Sequence, residues 1–367
     1  MVESVADLRS VISLADFEPI ARARMEPAAW DYLAGGAEDE ITLADNVEAF
    51  RRRRLLPRVL VDVAKADLRR RVLGREHALP IGVAPVAAQG LAHRGAEIAT
   101  ARAAAAAGTL FCASTVSSRS LEEIAAGAPK DGARWFQLYV NEDPGFTREL
   151  VRRAEAAGYE AIVLTVDLPV LGYREREKRR GWELDTPLGN FGRSMVLAAD
   201  PDRDGEVDLD RLLDARHVRL TWDDLTTIRS WSSLPLVIKG VLHPEDARLA
   251  VEHGAAAVVV SNHGGRQLDK SIASLDALEP IVDAVAGRAE VYLDGGIRRG
   301  SDILIAVGLG ATYVFAGRPF VTALGAAGEA GVTKAFAIFR EQLERAMALL
   351  GTATLADVRR EHVVDAR

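Results

Sequence analysis

The sequence predicts a single domain whose fold is a parallel β/α barrel of eight strands, and three observations lead to this fold class. Eight short apolar runs follow residue 80, with helix-patterned segments between them. Most of these runs are apolar at every position, which is typical of parallel strands that helices cover on both faces. Eight β/α units in about 250 residues match the size of a TIM (β/α)8 barrel. A doubly wound open sheet is the alternative, and the count of eight favours the barrel.

The barrel itself is expected over residues 81–318. Helical periodicity between its strands is clear over the five segments 94–107, 143–157, 244–253, 274–286 and 300–308. The strands follow one another in the order LPIGVAP, GTLFCAS, RWFQLYV, EAIVLTVD, LPLVIKG, AAVVVSN, EVYLDGG and ATYVFAGRP.

Three segments lie outside this repeat. Residues 1–80 are expected to form a helical lead-in, in which PAAWDYLAGGAEDEITLADNVEAF predicts one helix, a glycine turn and a second helix. Residues 175–220 form an insertion after strand 4 that is rich in charge, Gly and Pro, and a segment of that length is typically an active-site lid or disordered. Residues 319–367 are expected to be helical, with a long helix over 320–350 that closes the side of the barrel.

Composition excludes several classes of protein. The 367 residues are 49% hydrophobic and 27% charged, as in a soluble globular protein, and a net charge of −7 argues against nucleic acid as the main partner. The basic run Arg51–Arg54 is interpreted as a solvated segment with structural ion pairs. Because Cys112 is the only cysteine, we expect no intrachain disulfide and no multi-cysteine metal site, and no other metal ligand set is predicted.

The sequence carries no targeting signal that we recognise. Its first residues, MVESVADLRSVISLADF, include acidic side chains where a secretory signal would have an unbroken apolar core. No run approaches the roughly 18 apolar residues that a membrane helix needs. We therefore expect a cytoplasmic enzyme with no membrane partner.

Polar side chains stand at the ends of the predicted strands, where barrel enzymes keep their active sites. Gln137 with Tyr139 on strand 3, and Thr165 with Asp167 on strand 4, form aligned pairs because alternate residues of a strand share a face. The other strand-end residues are Pro85, Val86 and Ala87 on strand 1, Ser114 on strand 2, Lys239 on strand 5, and Ser261, His263 and Arg266 on strand 6.

Strands 7 and 8 end in the motifs LDGGIRRG and AGRP. Gly295 and Gly296 allow backbone N–H groups to approach a ligand closely, and Arg298 and Arg318 supply positive charge. The loops after strands 7 and 8 form the usual phosphate site of this fold. DGGIRRG alone is also compatible with an ordinary turn, but the two motifs together predict a phosphorylated ligand.

The strand-end residues also indicate what kind of ligand carries this phosphate. Ser114, Gln137, Thr165 and Ser261 are neutral hydrogen-bonding groups, which suit a heterocycle with amide edges. Lys239 follows an apolar run, and a cation there would stabilise a ring that becomes anionic on reduction. Flavin mononucleotide (FMN) has both the phosphate and such a ring.

The segment SNHGGRQLD, residues 261–269, resembles the active-site signature of the FMN-dependent 2-hydroxy acid oxidases and dehydrogenases. Glycolate oxidase, lactate oxidase and mandelate dehydrogenase belong to that family. The resemblance covers most of the chain, because the motifs WDYLAGGAEDEITL, APVAAQGLAH, WFQLYV, LTVDLPVLGYRE, IKGVLHPEDARLA, LDGGIRRG and GRPF occur in the same order.

The resemblance implies an FMN site on the strand-end residues. Its ligands would be Pro85, Val86 and Ala87 at the reactive side of the flavin; Ser114, Gln137, Thr165 and Ser261 at the ring; Lys239 at the pyrimidine edge, where it stabilises the anionic reduced form; and Asp294, Gly296, Arg298, Gly317 and Arg318 at the ribityl chain and phosphate.

The resemblance also implies the acid–base and substrate groups. Tyr32, Arg174 and Arg266 resemble a clamp for the substrate carboxylate, and Tyr139 would contact the substrate hydroxyl. His263 would take a proton from the substrate, which requires the neutral ring that its ordinary pKa of about 6.5 allows near neutral pH. Asp167 would orient this ring and stabilise the imidazolium. Abstraction of the proton from carbon, or from the hydroxyl with hydride transfer, both remain open.

Several of these residues are also compatible with purely structural roles. Tyr32 is also compatible with a core position on a helix, and Arg174 with an ion pair to acidic residues of the insertion. The remaining histidines are interpreted as structural, and these are His77, His93, His217, His243, His253 and His362.

Two departures from the family bear on the substrate. Val116 stands where glycolate oxidases often have tryptophan, and Val86 where threonine is frequent. We expect Val116 to open an apolar pocket, with Leu171 and the insertion as its other wall, unless Trp182 or Phe191 fills it. Lactate, longer aliphatic L-2-hydroxy acids or mandelate should then be preferred to glycolate, and the His263–Arg266 arrangement fixes the L configuration.

Two alternatives concern the reaction. The reduced flavin could pass electrons to O2, or to a quinone or cytochrome, and we favour O2 because residues 175–220 contain no apolar segment and the chain has no fused haem domain. Outside the flavin oxidoreductases, the sequence is also compatible with a non-redox phosphate-binding barrel or with a flavin-binding protein without catalysis. By resemblance we also expect a homotetramer or an octamer.

Overall fold

A closed barrel of eight parallel strands forms the centre of the computed structural model, as the sequence predicts. The structure describes residues 8–141, 143–181, 186–191 and 220–366. Each strand pairs in parallel with the next, and the last pairs with the first. The strands are β1 Ile81–Val83, β2 Phe111–Ser114, β3 Arg134–Leu138, β4 Ile162–Thr165, β5 Leu236–Val241, β6 Ala257–Val260, β7 Glu290–Asp294 and β8 Tyr313–Ala316.

A helix follows each barrel strand along the chain, which completes the β/α repeat. The five helices that were predicted by periodicity all occur, with ends that differ from the predicted ones by no more than two residues. In chain order the helices are α1 Ala96–Ala106, α2 Leu121–Gly127, α3 Pro144–Ala156, α4 Asp224–Arg229, α5 Pro244–Glu252, α6 Ser274–Val285, α7 Gly300–Gly308 and α8 Arg318–Leu350.

Large aromatic side chains fill the interior of the barrel. Trp135, Tyr292, Tyr313 and Phe315 are buried there, and the ring of Trp135 lies 5.7 Å from that of Tyr292 and 5.8 Å from that of Phe315. Val72 belongs to the same buried cluster. The barrel is therefore a packed core, and the space for a ligand lies beyond the carboxyl ends of its strands.

The lead-in is helical only in part. Helices occur over Phe17–Arg24, Pro27–Ala34 and Ile41–Arg51, and the last two are the predicted pair around a glycine turn. The expectation of a helical lead-in over residues 1–80 and of C-terminal helices over 319–367 is wrong at two places. Arg53–Leu55 pairs antiparallel with Val363–Asp365, and a hairpin joins Arg70–Val72 to Arg75–His77.

The hairpin was missed because only half of its turn signal is present. Leu73 and Gly74 both have positive φ, 44° and 85°, as a two-residue type I′ turn requires. That turn is usually Asn-Gly or Asp-Gly, and a leucine in the first position hides it in the sequence.

The basic run Arg51–Arg54 forms structural ion pairs, as interpreted from the sequence. Arg52 pairs with Asp45 and Asp276, and Arg53 with Asp276 and Asp365. These pairs tie the lead-in to α6 and to the C-terminal strand.

The helix α8 confirms the predicted C-terminal helix and begins two residues earlier, at Arg318. It is kinked at Ala327 and Gly328, whose φ values are −156° and 60°. Across the kink the ring of Phe320 lies 4.3 Å from that of Phe336, so the two halves pack against each other. No helix within the described ranges is long and apolar enough to cross a membrane.

Most of the insertion 175–220 lies outside the described residues, so its interpretation as a lid stays a prediction. Its described parts are a short helix, Glu175–Arg180, here called the lid helix, and residues 186–191. In the latter, the side-chain amide of Asn190 donates to the carbonyl of Thr115 at 2.9 Å and accepts the N–H of Leu121 at 3.0 Å. This part of the insertion is packed on the loop that follows β2.

Candidate functional site

A cavity of about 990 Å³, measured with its open mouth, lies at the carboxyl ends of the barrel strands. Nearly all of the residues predicted for the site line it, although they come from the lead-in and from positions at or beyond the carboxyl ends of all eight barrel strands. The predicted residues in its lining are Tyr32, Pro85, Val86, Ala87, Ser114, Gln137, Tyr139, Thr165, Arg174, Lys239, His263, Arg266, Asp294, Gly296, Arg298, Gly317 and Arg318.

Two predicted residues lie one layer behind this lining. Asp167 is behind His263, and Ser261 is behind Lys239, whose Nζ donates to Ser261 Oγ at 3.0 Å. Six apolar lining residues were not predicted, and these are Leu33, Ala84, Ile297, Phe315, Ala316 and Val321. All of them lie within or next to the motifs and strands quoted above, which was the one signal for them.

His263 is the centre of a hydrogen-bonded triad. Its Nδ1 lies 2.9 Å from Asp167 Oδ1, and its Nε2 lies 3.3 Å from Tyr139 Oη. Burial lowers the pKa of His263 below its ordinary value, although the Asp167 carboxylate acts in the opposite direction. The ring is therefore neutral near pH 7, as a general base must be.

Asp167 remains ionised in this buried triad. Burial alone would raise its pKa, but the neighbouring His263 and Lys239 outweigh burial, and the pKa of Asp167 is lowered. A negative charge next to Nδ1 orients the ring and favours the imidazolium that forms when Nε2 takes a proton.

Lys239 is a buried cation on the floor of the cavity. Its Nζ lies 3.4 Å from Asp294 Oδ2, and both side chains are almost fully buried. Burial alone would lower the pKa of Lys239, but Asp294 and Asp167 outweigh it, so that the pKa is raised. The site therefore presents a permanent positive charge to any ring bound above it.

Several buried polar atoms around Lys239 have no hydrogen-bond partner among the described residues. They include Gln137 Nε2, Thr165 Oγ1 and Asp294 Oδ1. Gln137 Oε1 is already used, since it accepts from Ser114 Oγ at 3.1 Å. Buried polar groups in native proteins are nearly always paired, so this set points to a polar ligand.

One end of the cavity is strongly basic. Burial lowers the pKa of both Arg298 and Arg318, and for Arg318 the nearby Arg266 and Arg298 lower it further. Arg318 is held by backbone carbonyls, with Nη1 2.7 Å from the Gly264 oxygen and Nη2 2.6 Å from the Gly35 oxygen. Clustered buried guanidinium groups of this kind favour a bound anion.

The backbone beside these arginines is packed closely against the lead-in helix. Gly295 and Gly296 have φ values of 96° and 82°, a region that favours glycine. A β-carbon on Gly296 would lie 2.0 Å from the carbonyl oxygen of Asn46, so no side chain fits there.

Two further arginines, Arg174 and Arg266, face the cavity near His263. The Arg266 guanidinium lies over the ring of Tyr32, 5.0 Å from its centre. Glu177 of the lid helix bridges the two arginines, with Oε1 3.5 Å from Arg266 Nη2 and Oε2 3.9 Å from Arg174 Nη1. Arg174 thus meets both expectations from the sequence, since it lines the cavity and also pairs with an acid of the insertion.

The expected wall of the substrate pocket is confirmed only in part. Val116 is fully buried and lines the cavity, whereas Leu171 is absent from the lining formed by the described residues. Phe191 packs on Phe146 with 5.5 Å between the rings and is absent from the cavity lining formed by the described residues. Trp182 lies outside the described residues.

The histidines interpreted as structural have structural contacts wherever the structure describes them. His77 packs on Tyr313, and burial lowers the pKa of His77 to about 4. His217 lies outside the described residues. The rings of the other four bond to backbone atoms of nearby residues, namely Gly95 for His93, Glu245 for His243, Leu249 for His253 and Arg359 for His362.

A family model described as FMN-dependent dehydrogenase matches residues 21–365. The chain belongs to this family. Its cofactor is FMN, as predicted from the strand ends. The resemblance found in the sequence is thereby confirmed for the family as a whole.

Individual members of the FMN-dependent dehydrogenase family match almost the whole chain. L-lactate oxidase of Nostoc sp. is 48% identical over 355 residues, which cover 96% of this chain and 97% of that protein. Glycolate oxidase 1 of Oryza sativa subsp. indica is 46% identical over 354 residues, with 96% and 95% covered. A structure of mandelate oxidase with (S)-4-hydroxymandelic acid superposes with a TM-score of 0.88 at 42% identity and covers 97% of this chain and 99% of its own.

The donor set of the cavity fits FMN at both ends. The amide nitrogen of Gln137 and the hydroxyl of Thr165 are unpaired within the described part of the chain and suit the polar edge of a flavin ring. Lys239 supplies the cation beside that ring. At the other end, the guanidinium groups of Arg298 and Arg318 line the cavity and supply the donors that a phosphate requires.

Proposed function

We propose that this protein oxidises an L-2-hydroxy acid to the 2-keto acid and passes the two electrons and two protons to O2, which gives H2O2. The observation that carries this proposal is the convergence of the His263–Asp167 pair and two arginines on one side of a cavity whose other end is basic. A base and a carboxylate clamp are the two groups that a 2-hydroxy acid requires.

FMN, when bound, supplies the two-electron acceptor next to the substrate and transfers the electrons onward. The residues proposed to hold its ring are Ser114, Gln137, Thr165 and Lys239, with backbone groups of Pro85, Val86 and Ala87 beside the reactive edge. Ser261 would act through Lys239. Asp294, Gly296, Arg298, Gly317 and Arg318 would hold the ribityl chain and the phosphate.

One of the two protons removed from the substrate goes first to His263. Nδ1 is engaged by Asp167, which leaves Nε2, on the side of Tyr139, to accept a proton from the substrate. Asp167 then stabilises the imidazolium, and the hydroxyl of Tyr139 is close enough to bond to the substrate oxygen. Positioned acid–base groups of this kind contribute about 10²–10⁴-fold to a rate.

The substrate carboxylate is proposed to bind between Arg174 and Arg266, next to Tyr32. A guanidinium can hold a carboxylate through two parallel hydrogen bonds, which fixes its orientation as well as its position. With the carboxylate held there, the hydroxyl at Tyr139 and the side chain against Val116, three substituents of C2 have fixed places. Only one configuration at C2 then suits the site, and we assign it as L.

The side chain of the substrate is proposed to lie against Val116. The cavity lining includes the apolar residues Val116, Leu33 and Val321. Longer aliphatic or aromatic side chains should therefore be favoured over the hydrogen of glycolate. Each buried methylene is worth about 0.8 kcal/mol. The likeness to a mandelate oxidase that is seen with an aromatic 2-hydroxy acid supports this choice.

O2 as the acceptor is supported by the relatives, two of which are named as oxidases of lactate and glycolate. A cytoplasmic location and a homotetramer or octamer belong to the same proposal. The assembly is supported by an exposed apolar cluster, Leu56, Val59 and Leu60, whose exposed fractions are 54%, 82% and 103%.

The proposal is tested by a stoichiometry measurement. Purified holoenzyme in air-saturated buffer, with no added acceptor, is mixed with L-lactate, L-2-hydroxyoctanoate, (S)-mandelate or glycolate. We expect one H2O2 and one keto acid per substrate consumed. Keto acid that forms only when a quinone or cytochrome is added would replace O2 with that acceptor, and no keto acid under either condition would refute the oxidation itself.

A further inference from the structure

Asn46 lies on the helix Ile41–Arg51 of the lead-in, outside the barrel, yet its side chain is buried beside the turn that carries His263. Its amide exchanges two hydrogen bonds with the amide of Asn262. Asn46 Nδ2 donates to Asn262 Oδ1, and Asn262 Nδ2 donates to Asn46 Oδ1, each at 2.8 Å.

The other hydrogen bonds of this amide pair go to the backbone. Asn46 Oδ1 also accepts the N–H of Ser274 at 3.2 Å, and Asn262 Oδ1 also accepts the N–H of Gly265 at 3.1 Å. Asn262 Nδ2 donates in addition to the carbonyl of Ile272 at 3.1 Å. Since each oxygen faces two N–H donors, neither amide can be turned over without losing bonds on both sides.

The turn that the pair holds has an uncommon backbone. His263 has a φ of 58°, and Gly264 and Gly265 follow with 65° and 75°. A residue with a β-carbon keeps a left-handed conformation only where its surroundings enforce it. Asn262 directly precedes His263, and Gly265 follows two residues later, so the Asn46–Asn262 pair anchors the turn on both sides of the histidine.

Arg266, on the same turn, has anchors of its own. Its Nη1 donates to the carbonyls of Tyr32 and Gly35, and its Nη2 faces Glu177. The hydrogen bonds that hold Arg266 therefore do not depend on Asn46.

We propose that Asn46 is a positioning residue, which through Asn262 sets the direction of the His263 imidazole toward Asp167 and Tyr139. The inference rests on the proposed function only in that His263 is the base. It assigns to the lead-in helix a part in the reaction, although no atom of Asn46 lines the cavity described above.

The substitution Asn46→Asp tests the hydrogen-bond pattern. When protonated, the introduced carboxyl can donate to Asn262 Oδ1 as the amide does, but when ionised it puts one of its oxygens against that acceptor. Burial and the facing acceptor raise the pKa of the introduced group. We expect the rate of flavin reduction, relative to wild type, to be within threefold at about pH 5.5 and to fall about 100-fold by about pH 9, the size of effect that a misplaced catalytic group causes.

Asn46→Ala tests the same point at one pH, and Thr42→Val is its matched control. Thr42 is a fully buried polar residue on the same helix, and its side chain bonds to the carbonyl of Ser271 and to Asp269, but not to Asn262 or Gly265. We expect Asn46→Ala to lower kcat about 100-fold with KM within threefold, and to speed amide hydrogen exchange in the peptide that spans 261–268. Thr42→Val should change neither.

The outcomes are distinguishable. The positioning role would be overturned if the rate of flavin reduction in Asn46→Asp, relative to wild type, were independent of pH. It would also be overturned if Thr42→Val sped amide hydrogen exchange in 261–268 as Asn46→Ala does. Hydrogen exchange requires no substrate, so failure of wild type to oxidise 2-hydroxy acids would refute the proposed function and leave this readout intact.

Discussion

At the scale of single residues, His263 shows how the surroundings decide what a side chain does. Its ring is neutral because it is buried, and it is oriented because Asp167 is ionised beside it. The sequence predicted both residues, since each follows a buried strand at the end where barrels carry their active sites.

The pKa of His263 leads to a pH prediction. Because burial lowers that pKa below its ordinary value of about 6.5, the base form persists below pH 6.5. We expect kcat/KM to be constant from pH 8 down to about 6.5 and to decline only as the pH falls through the lowered pKa. Initial rates in buffers of constant ionic strength measure this, and a decline that begins above pH 7 would contradict it.

Val116 gives a prediction about the substrate. Val116→Trp should fill the space beside it and lower kcat/KM for (S)-mandelate and 2-hydroxyoctanoate by about 10-fold or more relative to glycolate, because several methylenes lose their apolar contact. Val251→Ile, a small enlargement at a partly buried residue of α5 that does not line the cavity, serves as the control. An unchanged order of substrates would show that another residue forms the pocket wall.

Some residues of the site could not have been found from the sequence. Asn46 and Asn262 are 216 positions apart, and neither belongs to a pattern that predicts their pairing. Glu177 was one of several acids in a charged segment, and nothing local distinguishes the one that bridges Arg174 and Arg266. Such contacts depend on tertiary geometry rather than on periodicity.

At the scale of elements, periodicity predicted all eight barrel strands and five of the helices, because buried parallel strands and amphipathic helices leave strong patterns. The hairpin Arg70–His77 was missed, since its strands have three residues each and its turn begins with leucine. Elements as short as these depend on tertiary contacts for their stability and leave little trace in the sequence.

The lid helix provides a prediction at this scale. It begins directly after Arg174 and is tied to the lead-in by the ion pairs Arg180–Asp31 and Arg176–Glu40. Replacing both acids, as Asp31→Asn with Glu40→Gln, should raise KM for the 2-hydroxy acid about 3- to 10-fold with kcat less affected, since partly exposed pairs are worth little individually. Steady-state kinetics measure this.

A control for the lid helix is the pair Arg345–Glu341 on α8, which lies on an exposed helix face. Glu341→Gln should leave KM unchanged. If the double variant also left KM unchanged, Arg174 would be held without the lead-in, and the lid helix would have no part in substrate binding.

At the scale of the whole molecule, a strand of the lead-in pairs with the C-terminal strand, and the lead-in supplies Tyr32 to the cavity. The barrel and its carboxyl-end site were predictable from strand count and strand ends.

The exposed cluster Leu56, Val59 and Leu60 is expected to be covered in a homo-oligomer. Light scattering at micromolar concentration should give about four or eight times the chain mass of 39.5 kDa. Leu60→Asp should lower that mass, whereas Ile12→Asp, at an exposed residue outside the cluster, should not. A monomeric mass for the wild type would contradict the assembly.

The central claim is that His263 takes the proton of a 2-hydroxy acid in this FMN enzyme, and anaerobic single-turnover reduction of the flavin tests it most directly. His263→Ala should retain FMN, as its absorbance spectrum would show, and should be reduced by L-lactate or (S)-mandelate about 10²–10⁴-fold more slowly than wild type. His253→Ala, at a structural histidine, should be reduced at the wild-type rate. Reduction of FMN-loaded His263→Ala within tenfold of the wild-type rate would contradict the claim.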